Sequence, residues 1–487
     1  MMSENSSLSA GWVVQRVPPD VWRHIFGLVH QDLRITTYAD VNDIVHLSHI
    51  CSSWRDIATN APELWTCVDI IIDLQIPFVR PGVELISLIL RNAHDMPLIM
   101  SLVALEAFGF TEYLAFKPII QISKLFFQAT KRAKHLELAI SDDFPFQEVE
   151  AEIHAGPLLQ SLAIDLTSGR KGDIVKNLAK SWGHSPLLRS LELDGIGSNS
   201  QSIDAFKPLQ FPFRQLTFLD VRCQLDIDEF CRLISSTPFL TSLKSSAVSG
   251  ERETGDVKAV ELLWLEELTL KGEHELMLFS EPANRLLPYI VSPLLTTLRL
   301  VDDYAWSSKS FNSFLQKSSP HLEHLLLDVD DLNEDEKINC LKSFPSLRTL
   351  EFRAKHACGG GVMTGTTENT VSSTIGSSFC AAMLEWDAST QAFVLCPGLE
   401  KLSISYDDLN NATSTIFADM LEERWRRSLA AGKMFKLEIT TQWNQDLEES
   451  PECPSVISRI ILLKKSGMDV DAQLKRERIL MRSFAWW

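Results

Sequence analysis

Positive charge is scarce in this sequence: 46 lysines and arginines stand against 64 aspartates and glutamates, a formal net charge of −18. That balance does not suit nonspecific nucleic-acid binding, which needs clustered cations to neutralise phosphates. Long apolar runs are absent as well. The most apolar stretches, at 67–72 and 85–90, are of strand or helix length, far short of the ~18 residues of a membrane span. The first twenty residues carry neither a basic start nor an apolar core, so no signal peptide is expected. Nine cysteines are scattered and never spaced Cys-x-x-Cys, which is neither a disulfide framework nor a zinc pattern. They read as reduced, mostly buried thiols of a cytoplasmic or nuclear protein. Global disorder is excluded by 45% hydrophobic and 23% charged residues, and 487 positions suit about three domains or one large repeat array.

Chemical signatures are also missing. Cys358-Gly359-Gly360-Gly361 is not followed by the Gly-Lys-Ser/Thr that holds phosphates. Gly195 and Gly197 lack the third glycine of a dinucleotide fingerprint, and the acidic run Asp328–Glu336 lacks the glycine of a calcium loop. His321 and His324 have no third ligand in sequence reach, and no Ser/His/Asp or Cys/His arrangement can be placed by spacing. A non-catalytic protein without cofactor or metal is the expectation.

What is present begins with a small helical head over 17–65. Pro18 and Pro19 suit a helix start. Val21, Ile25 and Leu28 recur at i, i+4 and i+7, with Trp22, Phe26 and Val29 beside them. After a polar link, Ile44, Leu47, Cys51 and Trp54 form a second stripe, continued by Ile57 and Ala58, and Pro62 closes the module before Leu64-Trp65. A unit of about 45 residues rarely buries enough surface to stand alone, so its surplus apolar face should dock on the rest of the chain or on a partner.

The ordered set Val17-Pro18-Pro19-Asp20, Ile25-Phe26, Leu28-Val29, Leu47, Ile50-Cys51, Trp54-Arg55 and Leu64-Trp65 resembles an F-box. It departs from the family pattern in Val17, where leucine is usual, and in a long link between Val29 and Ile44. The resemblance implies docking on a Skp-type adaptor and, through it, on a cullin-RING ubiquitin ligase. Carried over position by position, Pro18, Ile25, Phe26, Leu28, Leu47, Cys51 and Trp54 become the adaptor anchors, although Trp54 also fits a role inside the module.

Beyond residue 130 one phrase returns: Pro, then Leu-x-x-Leu-x-Leu. Its middle residues are Leu136, Leu162, Leu191, Leu219, Leu243, Leu268, Leu298, Leu325, Leu350 and Leu402, spaced 24 to 30 apart except for a final 52, twice 26. That is a leucine-rich period. Each phrase reads as a short strand with its leucines inward, and the stretches between carry helical spacing. The expected fold is therefore α/β: a helical head followed by a leucine-rich-repeat solenoid, a curved parallel sheet with outer helices. The whole is similar to F-box proteins with leucine-rich repeats of the degenerate, fungal kind. The expected organisation is an N-terminal tail at 1–14, the F-box-like module at 15–66, and a linker with irregular first repeats at 67–130. The solenoid at 131–406 follows, with a Gly/Ser/Thr-rich flexible insertion at 356–378, and then a capping region at 407–487.

Residues flanking the strand leucines should face outward on the concave side: Glu137, Asp165, Glu192, Asp194 and Asp220 early, Lys244, Lys271 and Arg299 in the middle, and Asp328, Glu351 and Arg353 late. From Glu192 onward these are the candidate substrate-binding residues, an acidic-then-basic surface for a protein target. A solvated face of mixed charge is the competing reading. The functional expectation is a substrate-recognition subunit of an SCF-type ubiquitin ligase, with no nucleic-acid or membrane partner. The alternative is a free-standing interaction scaffold whose head merely caps the solenoid.

Overall fold

Leucines at every second position of a short segment favour a strand with one buried face, and the chain repeats such segments along most of its length. The computed structural model describes residues 17–36, 42–74, 78–105, 117–141, 144–154, 156–165, 177–178, 180–194, 211–223, 225–246, 248–249, 259–272, 282–303, 306–329, 332–353, 375–405, 415–441 and 455–474. They fall into two units, 1–224 and 225–487.

The first unit opens with three helices: α1 (Pro19–Thr36), α2 (Asn42–Ile50) and α3 (Ser52–Thr59). Helix α1 is longer than the sequence pattern foretold, because no proline or glycine interrupts residues 28–36, so the long link expected after Val29 is largely helix. The second stripe, in turn, is two helices. Cys51 is extended (φ −156°, ψ 169°), and its Sγ accepts the Trp54 N–H at 3.4 Å, capping α3. Trp65 is buried, and its indole N–H donates to the Ala58 carbonyl at 2.7 Å, which fastens the head to the first strand.

That strand, β1 (Cys67–Asp73), pairs antiparallel with β2 (Phe78–Arg80) on one side and parallel with β3 (Leu98–Leu105) on the other. Strands β4 (Ala133–Ile140), β5 (Ser161–Asp165), β6 (Ser190–Asp194) and β7 (Phe218–Arg222) follow, all parallel. Val68, Met100, Leu136, Leu162, Leu191 and Leu219 share one register row, each at most 2% exposed. Strands β1 and β3, in the stretch expected to hold a linker with irregular first repeats, are thus members of the same ladder. Helices α4 (Val83–Asn92) and α5 (Lys117–Ala129) return the chain between strands, burying Ile86 and Ile89, and Ile119, Ile122, Phe126 and Phe127.

The second unit repeats the scheme. Its main strands are β8 (Ser242–Ser246), β9 (Glu267–Lys271), β10 (Thr297–Asp303), β11 (His324–Val329), β12 (Thr349–Phe352), β13 (Lys401–Ser405), β14 (Lys436–Thr441) and β15 (Asp469–Leu474). All pair parallel in that order. One carbonyl per repeat stitches the next: Thr241 O accepts from Glu266 and Glu267, Glu266 O from Thr296 and Thr297, and Thr296 O from Glu323 and His324. This satisfies backbone groups where each strand begins. The intervening helices are α6 (Ile227–Ser235), α7 (Pro282–Leu286), α8 (Ser308–Ser318), α9 (Glu334–Lys342), α10 (Ser377–Leu384), α11 (Thr415–Ala430) and α12 (Ser455–Lys465). Both units are therefore stacks of parallel strands with returning helices, an α/β solenoid arrangement.

Two boundaries change. The doubled interval between β12 and β13 adds no strand to the ladder, but holds α10 and a small antiparallel pair, Trp386–Asp387 with Ala392–Phe393. Most of the expected insertion at 356–378 lies outside the described residues. The ladder also does not end at 406: β14 and β15 extend it in register, with Leu402, Leu437 and Val470 in one row.

Candidate functional site

Helix α1 presents two different faces. Trp22 and Phe26, one turn apart, point inward and meet Trp54 from α3, both with ring centroids at 4.9 Å. Phe26 is 1% exposed and belongs to this aromatic core. Val21, Ile25 and Leu28 lie on the other face, 45%, 37% and 49% exposed, and Ile50 at the end of α2 is 61% exposed. Exposed aliphatic side chains at i, i+4 and i+7 leave a helix with an uncovered apolar stripe. The Arg23 guanidinium pairs with Asp20 at 3.5 Å and donates to the Asn60 carbonyl at 3.3 Å, tying α1 to the end of α3.

The expected anchors therefore separate into groups. Ile25 and Leu28 are outward, and Pro18 is exposed at the helix start, its carbonyl accepting the Val21 N–H at 3.0 Å. Leu47, Cys51 and Trp54 are half-buried. Phe26 lies in the interior, where the ring of Trp54 closes over it. Val21 and Ile50 were not among the expected anchors although both are exposed; the i, i+4, i+7 spacing of Val21 with Ile25 and Leu28 was the signal available for the first of them.

On the outer face of the first unit's sheet, Arg222 gathers the acidic candidates. Its guanidinium bonds Asp220 at 2.7 Å and lies 3.5 Å from Asp194 and 3.7 Å from Glu192. Burial works against its charge, but the three carboxylates outweigh it and raise the Arg222 pKa. Register explains the gathering: Asp194 stands opposite Arg222, and Glu192 opposite Asp220. Asp165 and Asp220 are buried, so they are not presented to a partner. Arg222 itself was not among the candidates; its place two residues beyond Asp220 on the same face could have shown it.

In the second unit Lys244 and Arg299 share one register row with Leu326 and Glu351, with Arg299 and Lys271 exposed. Asp328 is buried, a second departure from the outward reading, and Glu351 is paired with Arg353 at 3.0 Å. Two further cation–carboxylate pairs, Lys401 with Glu438 and Lys436 with Asp471, continue across β13 to β15. Several charged side chains of these faces are thus paired with one another, while Lys271 and Arg299 are exposed.

Elsewhere the perturbed groups have structural causes. Arg424 on α11 is 2% exposed and donates to the carbonyls of Met383, Leu395 and Cys396 at 2.9, 2.6 and 3.2 Å, lying over the Phe393 ring at 4.3 Å. Burial pulls its pKa down to about 10. Burial also pushes the thiols of Cys380 and Cys396 up to about 12 and that of Cys340 higher still. Among the described residues no three His, Cys, Asp or Glu side chains are disposed to hold a metal, and no helix is long and apolar enough to cross a membrane.

Residues 14–71 match the F-box-like family, so the head is an F-box-like domain. No curated protein is similar enough to this chain to count as a match. Among solved structures the chain is similar to one in the crystal structure of the yeast Rad7 and Elc1 complex. The identity is 10% and the TM-score 0.35, with 85% of this chain and 96% of that one covered.

Proposed function

We propose that this chain is a substrate-recruiting subunit of a cullin-RING ubiquitin ligase, its F-box-like head docking on a Skp-type adaptor and its repeat units holding a protein target. The observation that carries the reading is the uncovered row of Val21, Ile25 and Leu28 along one helix of a domain that matches the F-box-like family, with Ile50 exposed at the end of the next helix. An apolar helix face of this kind suits recognition between helices, where a few aliphatic anchors supply most of the binding energy. The chain then works by proximity. It performs no bond chemistry, but raises the effective concentration of a target lysine beside the ubiquitin-loaded enzyme. Nine scattered cysteines without a disulfide-framework spacing fit a reducing compartment, the cytoplasm or nucleus.

The test is co-purification of the full chain with a Skp-type adaptor, with and without Ile25→Asp plus Leu28→Asp. Stoichiometric adaptor lost in the double variant supports the reading. A well-behaved chain that never captures the adaptor favours the free-standing scaffold.

A further inference from the structure

Three successive repeats of the second unit enter their strands through tight turns, and register fixes which residues are equivalent. Ser242, Glu267, Thr297 and His324 stand opposite one another at the starts of their strands. The residues three positions earlier are Phe239, Trp264, Leu294 and His321. The turns close alike, with Leu240 N–H on Thr237 O, Leu265 on Leu262 and Leu295 on Ser292, at 3.2, 3.2 and 3.3 Å. Their inner leucines are fully buried while Phe239, Trp264 and Leu294 are 55%, 54% and 50% exposed, and Leu263 beside Trp264 is 49% exposed. Pro238 and Pro293 are exposed at the turns on either side. Strand spacing of about 4.8 Å sets these turns side by side. The result is an apolar ridge three repeats wide, ending where His321 takes the equivalent position before the next strand.

We propose that this ridge is a docking site for a short protein segment with aromatic or aliphatic anchors flanked by lysine or arginine, which defines the class of target recruited under the reading above. Charge identifies the partner. The three turn-to-strand stretches 238–242, 261–267 and 293–297 contain no lysine or arginine, while Glu261, Glu266 and Glu267 are exposed within three residues of Leu263 or Trp264. Acidic side chains clustered at the middle turn of an apolar ridge steer and orient a cationic segment. Area identifies its size. About half of four large side chains, at roughly 150–250 Å² for each aromatic, presents on the order of 400 Å². A stable dimer needs about 800 Å² from each partner, so the patch fits a peptide-sized anchor better than a second copy of this chain.

The test uses the full chain and two labelled synthetic dodecapeptides, one with two leucines and a tryptophan among lysines, the other with those lysines replaced by glutamates. Fluorescence anisotropy should show binding of the cationic peptide alone, weakened about tenfold or more by Phe239→Ala plus Trp264→Ala, and weakened with loss of salt dependence by Glu266→Lys plus Glu267→Lys. Equal binding of both peptides, or binding unchanged in the alanine variant, would overturn the proposal. So would a concentration-dependent dimer in sedimentation that Trp264→Ala abolishes, since the occupant would then be a second copy. Ile25→Asp plus Leu28→Asp should leave peptide binding intact, so failure of the ridge and failure of adaptor docking are separately visible.

Discussion

Ile25 and Phe26 are neighbours in the chain and opposites in exposure: the isoleucine is 37% exposed on the outer stripe of α1, while the phenylalanine is 1% exposed against Trp54. One peptide bond therefore separates the face available to a partner from the core that holds the head together. The two roles can be removed independently.

Ile25→Asp with Leu28→Asp should abolish adaptor capture and leave thermal unfolding of the chain nearly unchanged, because both side chains already face solvent. At about 2 kcal/mol per interface anchor, the pair corresponds to roughly a thousandfold loss of affinity. Phe26→Ala should behave differently, costing the head about 3–5 kcal/mol of stability as an aromatic removed from a core. Binding titrations beside thermal melts separate the two. Full-strength capture by the aspartate variant would place the adaptor elsewhere.

Much of the fold was legible because a buried strand face writes itself as alternating leucine, and ten such leucines recur at nearly constant spacing. The pairing of Leu243, Leu268, Leu298, Leu325, Leu350 and Leu402 in one register row follows directly from that spacing. Strand β15 was not legible, because Val470 and Ala472 replace the leucines and no Pro-x-x-Leu phrase precedes them. The break at Cys51 was hidden for a different reason: the apolar stripe runs on through both helices, and only the backbone shows the cap. On the sheet faces, composition foretold acidic residues but not that Arg222 bridges three of them. The ridge of Phe239, Trp264 and Leu294 sat inside the repeat phrase itself. The first leucine of each phrase, Leu240, Leu265 and Leu295, marks the inward position, so the apolar residue before each was readable as outward.

Arg222→Ala should destabilise the first unit by about 1–3 kcal/mol, since it strips a buried acceptor, the Asp220 carboxylate, of its charged donor. Adding Asp220→Asn should recover part of the loss by removing the stranded charge, a coupling that a double-mutant cycle reads directly. The raised Arg222 pKa means its stabilising charge is fully present below the ordinary arginine range and is lost only as pH rises beyond it. The effect should therefore be flat from pH 5 to 9. Independent, additive effects of the two substitutions would show that the pair is not coupled.

Thiol labelling should follow burial. Cys380 and Cys396, pushed up to about 12, remain protonated and covered at pH 8, whereas half-buried Cys51 and Cys67 are better placed to react. Arg424 donates to the Cys396 carbonyl and to that of Leu395 beside it. Arg424→Ala should then loosen this turn and bring Cys396 labelling forward many-fold, with a stability loss of about 3 kcal/mol or more. Alkylation followed by peptide mass mapping checks both statements. Equal labelling of all four cysteines in the unaltered chain would contradict the burial argument.

Asp387 supplies a pH response of known sign. Its carboxylate accepts the Ser389 hydroxyl at 2.6 Å, the Ser389 N–H at 2.8 Å and the Thr390 hydroxyl at 2.8 Å, and these bonds hold its pKa down to about 2. A carboxylate depressed in the folded state stabilises it above the unfolded pKa, near 4, and that contribution fades as pH falls from about 4 toward 2. The turn it fixes joins Trp386–Asp387 to Ala392–Phe393, whose rings face Arg427 at 3.9 Å and Arg424 at 4.3 Å. The Val394 N–H donates to the Glu385 carbonyl at 2.9 Å across the same hairpin and reports its closure. Hydrogen exchange at Val394 should accelerate across that acid window in the unaltered chain. In Asp387→Ala it should be fast already at pH 5, with the acid step gone, and identical pH profiles in the two chains would show that the hairpin is held by its aromatic–arginine contacts instead.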